Sequence, residues 1–297
     1  MRKGHNKFKG TGVAIVTPFK KSGAIDFESF EKILDHVILG GVGFVVLLGT
    51  TGEASTISKQ EKKALTGFAV KIIRKRVPLV VGIGGNNTSE VVLAIHGTLF
   101  QGIDGILSVC PYYSKPQQEG IYQHFKTIAE ASPVPVILYT VPGRTSSNIS
   151  ALTTLRLAHD FSNIIGIKEA SGNFEQIYQV LKHRPKDFLV LSGDDGITLP
   201  LIAAGADGVI SVTANAYPSE LSEMVRLSLA GNFKDAREIH YRLIDFTNAL
   251  FLDGSPAGIK AALHKKEFCE NILRLPLVPV IKEVRNQIEN LMEKLEK

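Results

Sequence analysis

The run Ile164-Ile165-Gly166-Ile167-Lys168-Glu169-Ala170-Ser171 decides how this chain is read. A strand that is apolar without a break belongs to a parallel sheet covered by helices, not to one with a wet face. Alternation puts Ile164, Gly166 and Lys168 on one face and Ile165 and Ile167 on the other. A lysine pointed into an interior must be paired, or must lose its charge and act as a nucleophile. Glycine on the same side leaves room beside the amine for a small molecule, and a desolvated amine is the chemistry of Schiff-base enzymes. Taken alone, Lys168 reads better as a strand-end lysine reaching out to water. The rest of the chain reverses that reading.

Outward from this run, short apolar segments alternate with longer amphipathic ones. Strand candidates lie at 13–16, 44–48, 79–83, 105–109, 136–141, 164–169, 188–192 and 208–212, each bounded by Gly, Pro, Asn or Asp. Helical periods fall between them, as in Phe27, Phe30, Ile33, Leu34, Val37 and Ile38, or Ala64, Leu65, Phe68 and Ile72. Asp26 is placed to cap the first helix. About eight such units favour a closed (β/α)8 TIM barrel over an open doubly wound sheet. The stretch from 233 to 297, punctuated by Pro256, Pro276 and Pro279, reads as helices without strands. The expected division is therefore a catalytic barrel over 1–230 and a helical C-terminal region over 231–297 packed on it. No low-complexity tract or linker separates the two.

A length of 297 residues with 44% hydrophobic content suits one large soluble domain with a sizeable core. The net charge of +5 is scattered over Lys20-Lys21, Lys62-Lys63, Arg74 to Arg76 and Lys265-Lys266, without the stripe that nucleic-acid binding needs. Lys62-Lys63 and Lys265-Lys266 read as solvated helix faces. Cys110 and Cys269 make no disulfide framework, which suits a reducing cytosol. Cys110, after Gly105 to Val109, reads as a small buried side chain and not as a nucleophile. Met1 to Gly10 is basic and polar and lacks the apolar core of a leader. No apolar run approaches the roughly 18 residues of a membrane span. A soluble, cytoplasmic protein is expected.

In such barrels the reactive groups sit at the C-terminal strand ends and in the loops that follow. The second strand candidate ends in Gly49-Thr50-Thr51-Gly52-Glu53, where two hydroxyls between glycines suit the close approach of a carboxylate. An ordinary turn with Glu53 near a helix start fits as well. The fourth runs into Pro111-Tyr112-Tyr113-Ser114-Lys115-Pro116, whose phenols are either packing or proton donors and acceptors. The fifth ends in Tyr139-Thr140-Val141-Pro142-Gly143-Arg144-Thr145, with Arg144 in a loop and able to hold a carboxylate with its planar fork. Ser192-Gly193-Asp194-Asp195 fits a helix cap better than a metal pair, since adjacent carboxylates point to opposite sides of a strand. There is no His-Glu-x-x-His and no Cys-x-x-Cys, so no metal is expected. Gly82-Ile83-Gly84-Gly85-Asn86-Asn87 lacks the third glycine of a dinucleotide fingerprint. A hydroxyl-rich turn, a tyrosine pair, an arginine and a buried lysine thus fall at one end of one barrel.

These motifs resemble the 4-hydroxy-tetrahydrodipicolinate synthase (dihydrodipicolinate synthase) family, of the class I pyruvate-dependent aldolases, over essentially the whole chain. The resemblance runs through Gly12-Val13-Ala14 with Thr17-Pro18-Phe19, Gly49 to Glu53, Pro111-Tyr112-Tyr113 with Lys115-Pro116, and Tyr139 with Val141 to Thr145. It continues through Gly166 to Gly172 and Ser192 to Asp195. It implies a metal-independent lyase without a cofactor, in which Lys168 forms a Schiff base with pyruvate. The enamine then attacks L-aspartate 4-semialdehyde, in the diaminopimelate route to lysine. By motif match, Tyr139, Thr50 and Tyr113 form a proton relay, with Tyr113 reaching in from a neighbouring subunit. Thr51 would hold the pyruvate carboxylate and Arg144 that of the semialdehyde, while the Gly193 and Ile210 carbonyls line the lysine pocket. A homotetramer built as a dimer of dimers is implied, with no nucleic-acid or membrane partner.

Ser114, Thr140, Ala54-Ser55 and Ser146 depart from what is common in the family and affect loop geometry, not the acid–base groups. Asn86, Glu90 and Tyr112 match part of a feedback pocket for lysine. Lys59 and Lys62, however, stand where sensitive relatives carry histidines, and added positive charge weakens a cationic effector. Two alternatives use the same barrel: an N-acetylneuraminate lyase or 2-keto-3-deoxy sugar acid aldolase, and a non-catalytic barrel that binds pyruvate or an amino acid. Arg144 favours a short anionic aldehyde over a polyol.

Overall fold

The computed structural model describes residues 5–296. Residues 1–4 of the basic N-terminal stretch lie outside that range. Eight strands, β1 Gly10–Ala14, β2 Phe44–Leu47, β3 Leu79–Gly82, β4 Gly105–Val109, β5 Val136–Thr140, β6 Ile164–Glu169, β7 Leu189–Ser192 and β8 Gly208–Ser211, close into a barrel in chain order. Every pairing is parallel, and β1 meets β8 through Gly10 opposite Gly208. The expected TIM barrel is present.

The helices are α1 Phe27–Leu39, α2 Lys59–Ile73, α3 Thr88–His96, α4 Gln118–Ala131, α5 Pro142–Thr145, α6 Ala151–Asp160, α7 Phe174–His183, α8 Thr198–Ala203 and α9 Pro218–Leu229 around the barrel. Beyond them come α10 Phe233–Ala249, α11 Ala257–Lys265 and α12 Lys282–Leu295. Asp26 caps α1 by accepting from Ser29 N at 3.3 Å. Ser58 and Glu61 close a reciprocal capping box at the start of α2. α1 buries Phe30, Ile33, Leu34 and Val37, the stripe that its period predicts.

Two apolar shells result. Ala14, Phe44, Val46, Val80, Leu107, Ile137, Ile165, Leu189 and Ile210 fill the barrel, and Phe8 packs with this cluster. A larger shell lies between strands and helices, and Phe246, Ile259, Leu263, Ile288 and Met292 of the last three helices belong to it. No helix of the described residues is long and apolar enough to cross a membrane.

Three local readings need correction. The first strand ends at Ala14, not Val16, because Val16 N donates to the Asn215 side chain at 3.1 Å and leaves the ladder. Strict alternation fails in β6: Val136 faces Ile164 but Ile137 faces Gly166, so the register slips by one residue. Ile164 and Ile167 therefore both face the helices, while Ile165 joins the barrel interior and Lys168 keeps its inward direction. Finally, Lys266 is no freely solvated lysine: it pairs with Glu296 at 3.1 Å and lies 4.3 Å over the Tyr217 ring.

Candidate active site

Lys168 is the next-to-last residue of β6, in register with Tyr139 of β5 and Leu191 of β7. It is 5% exposed, and its Nζ lies 4.5 Å from the centroid of the Tyr139 ring. Among the described residues no carboxylate pairs with it. The glycine packed against the lysine is not the one expected. A Cβ on Gly166 would lie 2.7 Å from Leu189 O, so Gly166 lets β7 approach β6 and opens no pocket. Gly193 is the neighbour of the amine: a Cβ there would meet Lys168 Cε at 3.1 Å and Ala170 Cβ at 2.7 Å. Ile210 of β8 is buried in the same inner cluster as Tyr139 and Leu191.

Gly49 to Glu53 forms the turn after β2. Thr51 is buried and Thr50 is exposed. Left-handed backbone at both Leu48 (φ 57°) and Glu53 (φ 54°) brackets the turn. It is fixed by Glu53 N donating to Thr50 O at 3.0 Å and by Thr17 Oγ1 donating to Gly52 O at 2.8 Å. Glu53 starts a 3-10 turn at Ala54–Thr56, but its side chain makes no cap. It is buried instead against Lys260 of α11, and it accepts from Arg274 N at 3.1 Å.

Tyr113 is 89% exposed, in left-handed backbone (φ 72°), and Tyr112 beside it is also exposed. Arg144 lies in the one-turn helix α5, not in a loop, because Pro142 sets its first turn; the side chain is exposed. Among the described residues no hydrogen bond joins Tyr139, Thr50 and Tyr113 within the chain, and none holds the Arg144 guanidinium. Asn86, before α3, and Glu90, in its first turn, are exposed like Tyr112, with no bond joining the three.

The supporting layer is polar and buried. Glu169 accepts from Ser171 N at 2.6 Å and from Gln176 Nε2 at 3.0 Å, and burial pushes its carboxyl above the usual range. Gln176 Oε1 accepts from Asn148 Nδ2 at 2.7 Å, and Asn148 Oδ1 accepts from Thr140 Oγ1 at 2.9 Å. A hydrogen-bonded chain thus runs behind Lys168 and Tyr139 from one strand to the next. Asp194 caps the turn that follows by accepting from Gly196 N at 2.9 Å, as expected, whereas Asp195 makes no cap to its own turn and accepts instead from Val212 N and Thr213 N (2.9 Å each) after β8. No group of three or more His, Cys, Asp or Glu among the described residues could hold a metal. Cys110 is fully buried, and burial pushes its thiol up to about 11.

Sequence reading missed Lys260 and Arg274. The signal was there for the first: Lys260 stands alone inside Ala257-Gly258-Ile259-Lys260-Ala261-Ala262-Leu263, as Lys168 does in its strand.

A sequence profile described as the dihydrodipicolinate synthetase family matches residues 7–295. The chain is 50% identical over 287 residues to the 4-hydroxy-tetrahydrodipicolinate synthase of Parabacteroides distasonis, covering 97% of each. Its structure is similar to that of dihydrodipicolinate synthase from Thermotoga maritima, with a TM-score of 0.95 and 39% identity over 98% of this chain and 99% of that one. A monomeric dihydrodipicolinate synthase variant matches with a TM-score of 0.96 and 38% identity over 98% of both chains. With a profile match over almost its whole length and a relative 50% identical across 97% of both chains, the chain belongs to the dihydrodipicolinate synthetase family.

Proposed function

We propose that the chain acts as a 4-hydroxy-tetrahydrodipicolinate synthase, a lyase that joins pyruvate to L-aspartate 4-semialdehyde. One observation carries the assignment of the nucleophile: Lys168 is buried at the barrel mouth, without an anionic partner among the described residues, beside Tyr139 and Gly193. Its Nζ adds to the keto carbon of pyruvate, and loss of water leaves an imine. Loss of a methyl proton gives the enamine, whose carbon attacks the aldehyde carbon of the semialdehyde. The substrate amine then displaces Lys168 as the ring closes, and the free lysine returns. The imine nitrogen is the electron sink, so the cycle needs neither metal nor separate cofactor.

Tyr139, Thr50 and Tyr113 shuttle protons in this reading, Thr51 and Arg144 take the two carboxylates, and the Gly193 and Ile210 carbonyls face the lysine pocket. The barrel of 1–230 carries the chemistry and 231–297 supports it. Tyr113 serves a partner subunit in a dimer of dimers; its exposure within one chain supports that placement. Asn86, Glu90 and Tyr112 would take the ammonium of free lysine. The added positive charge of Lys59 and Lys62 weighs against tight binding there. A cytoplasmic setting fits the two free, buried cysteines.

Borohydride reduction in the presence of pyruvate, followed by peptide mapping, tests the assignment. The adduct is expected on Lys168, and absent in Lys168→Ala. An adduct mapping elsewhere, or none, defeats the proposal; turnover of sialic acid but not of the semialdehyde would assign the sugar-acid aldolase instead.

A further inference from the structure

We propose that Lys260 and Glu53 form a strut by which the C-terminal helical region holds the Thr50-Thr51 turn in its reactive position. Lys260 is then a positioning residue for a site it does not touch. The inference rests on the roles given above to Thr50 and Thr51.

Both charged groups are almost fully enclosed, Lys260 at 0% and Glu53 at 1% exposure. Lys260 Nζ pairs with the Glu53 carboxylate, donates to Ile272 O at 2.8 Å and lies 4.2 Å over the Phe19 ring. Arg274 completes the bracket from the segment after α11. Its backbone N–H donates to the other Glu53 oxygen at 3.1 Å. Its guanidinium donates to Gly23 O at 3.0 and 2.8 Å and to Thr56 O at 2.9 Å, pairs with Glu61, and stacks 4.4 Å from the same Phe19 ring. Donors from 207 and 221 residues away in sequence thus converge on one carboxylate.

That carboxylate is attached to the turn at issue, since Glu53 follows Thr50-Thr51-Gly52 directly. Left-handed backbone at non-glycine residues persists only where the surroundings over-determine it, and Leu48 and Glu53 both have it. A matched apolar pair would serve stability as well as a buried ion pair. What the charges add is direction, because donors from two segments fix the carboxylate at one point. A turn released by a fraction of an ångström would present the Thr51 hydroxyl to the pyruvate carboxylate, and the Thr50 hydroxyl to the relay, in the wrong place, and such misplacement is costly to the rate.

Two variants separate positioning from packing. Glu53→Gln keeps the shape and removes one charge; Glu53→Gln with Lys260→Met removes both and leaves no charge buried alone. Readings are taken on whichever keeps the wild-type circular dichroism spectrum. The expected result is a rise of about 10- to 100-fold in the KM for pyruvate, with the KM for the semialdehyde unchanged. At saturating pyruvate, borohydride still traps the adduct on Lys168. Unchanged KM for pyruvate, or equal changes in both KM values, overturns the strut. Loss of trapping in the wild-type protein would instead overturn the proposed function.

Discussion

His124 of α4 shows how the fold opposes a single ionisation. Its side chain is 4% exposed, Nδ1 lies 2.8 Å from Thr88 Oγ1, and Nε2 is buried without a hydrogen-bond partner among the described residues. Burial pushes its pKa from 6.5 down to about 4, so the folded chain holds the neutral ring. Between those values the unfolded chain binds the extra proton. The contribution is therefore complete above pH 6.5 and is lost as pH falls toward 4, a change of about 3 kcal/mol. Urea melts across that range should show wild type losing this amount more than His124→Gln; parallel slopes would show that the buried ring stays uncharged in neither state. Legibility at this scale was uneven. Lys168 could be read because a strand forces alternation and a lysine breaks an apolar run. Lys260 broke its run in the same way, but in a helix the partner lies wherever another element packs. Glu53 is 207 positions away, and no local pattern reports that distance.

Among the elements, strand identity was legible and strand ends were not. Leu48, Ile83, Val141 and Val212 stay apolar past their strands, so hydrophobicity runs on after the ladder has stopped. The slip in β6 had no composition signal either, since one extra residue in a run of isoleucines changes no pattern. The part Thr140 plays is visible only in the fold. Its hydroxyl donates to Asn148 Oδ1 at 2.9 Å and accepts from Ile149 N at 3.2 Å, tying β5 to the segment after α5. Thr140→Val keeps the volume but leaves the Ile149 N–H without its acceptor and loosens Asn148. It is expected to cost about 1–3 kcal/mol in chemical denaturation. Because α5 carries Arg144, the KM for the semialdehyde should rise while that for pyruvate holds. A variant as stable as wild type, with both constants unchanged, would show that this chain of hydrogen bonds does not support the mouth.

The closed order of the whole barrel followed from strand–helix alternation, because each right-handed crossover places the next strand beside the last. What alternation could not show is that the helices after α9 share the core and reach back to the mouth through Lys260 and Arg274. Nor could it show which site a tyrosine serves when it stands in water on its own chain. Tyr113 raises that question most sharply, since the proposed relay needs its phenol and the chain leaves it 89% exposed. Subunit complementation answers it. Lys168→Ala and Tyr113→Phe are each expected to be nearly inactive alone. In a mixed dimer, the site with an intact Lys168 takes Tyr113 from the Lys168→Ala partner and is whole. Equal, freely exchanged mixtures form mixed dimers half the time, each with one working site in two. Activity should therefore return to about a quarter of wild type. If each Tyr113 served its own chain, every site would lack one group or the other, and mixing would restore nothing.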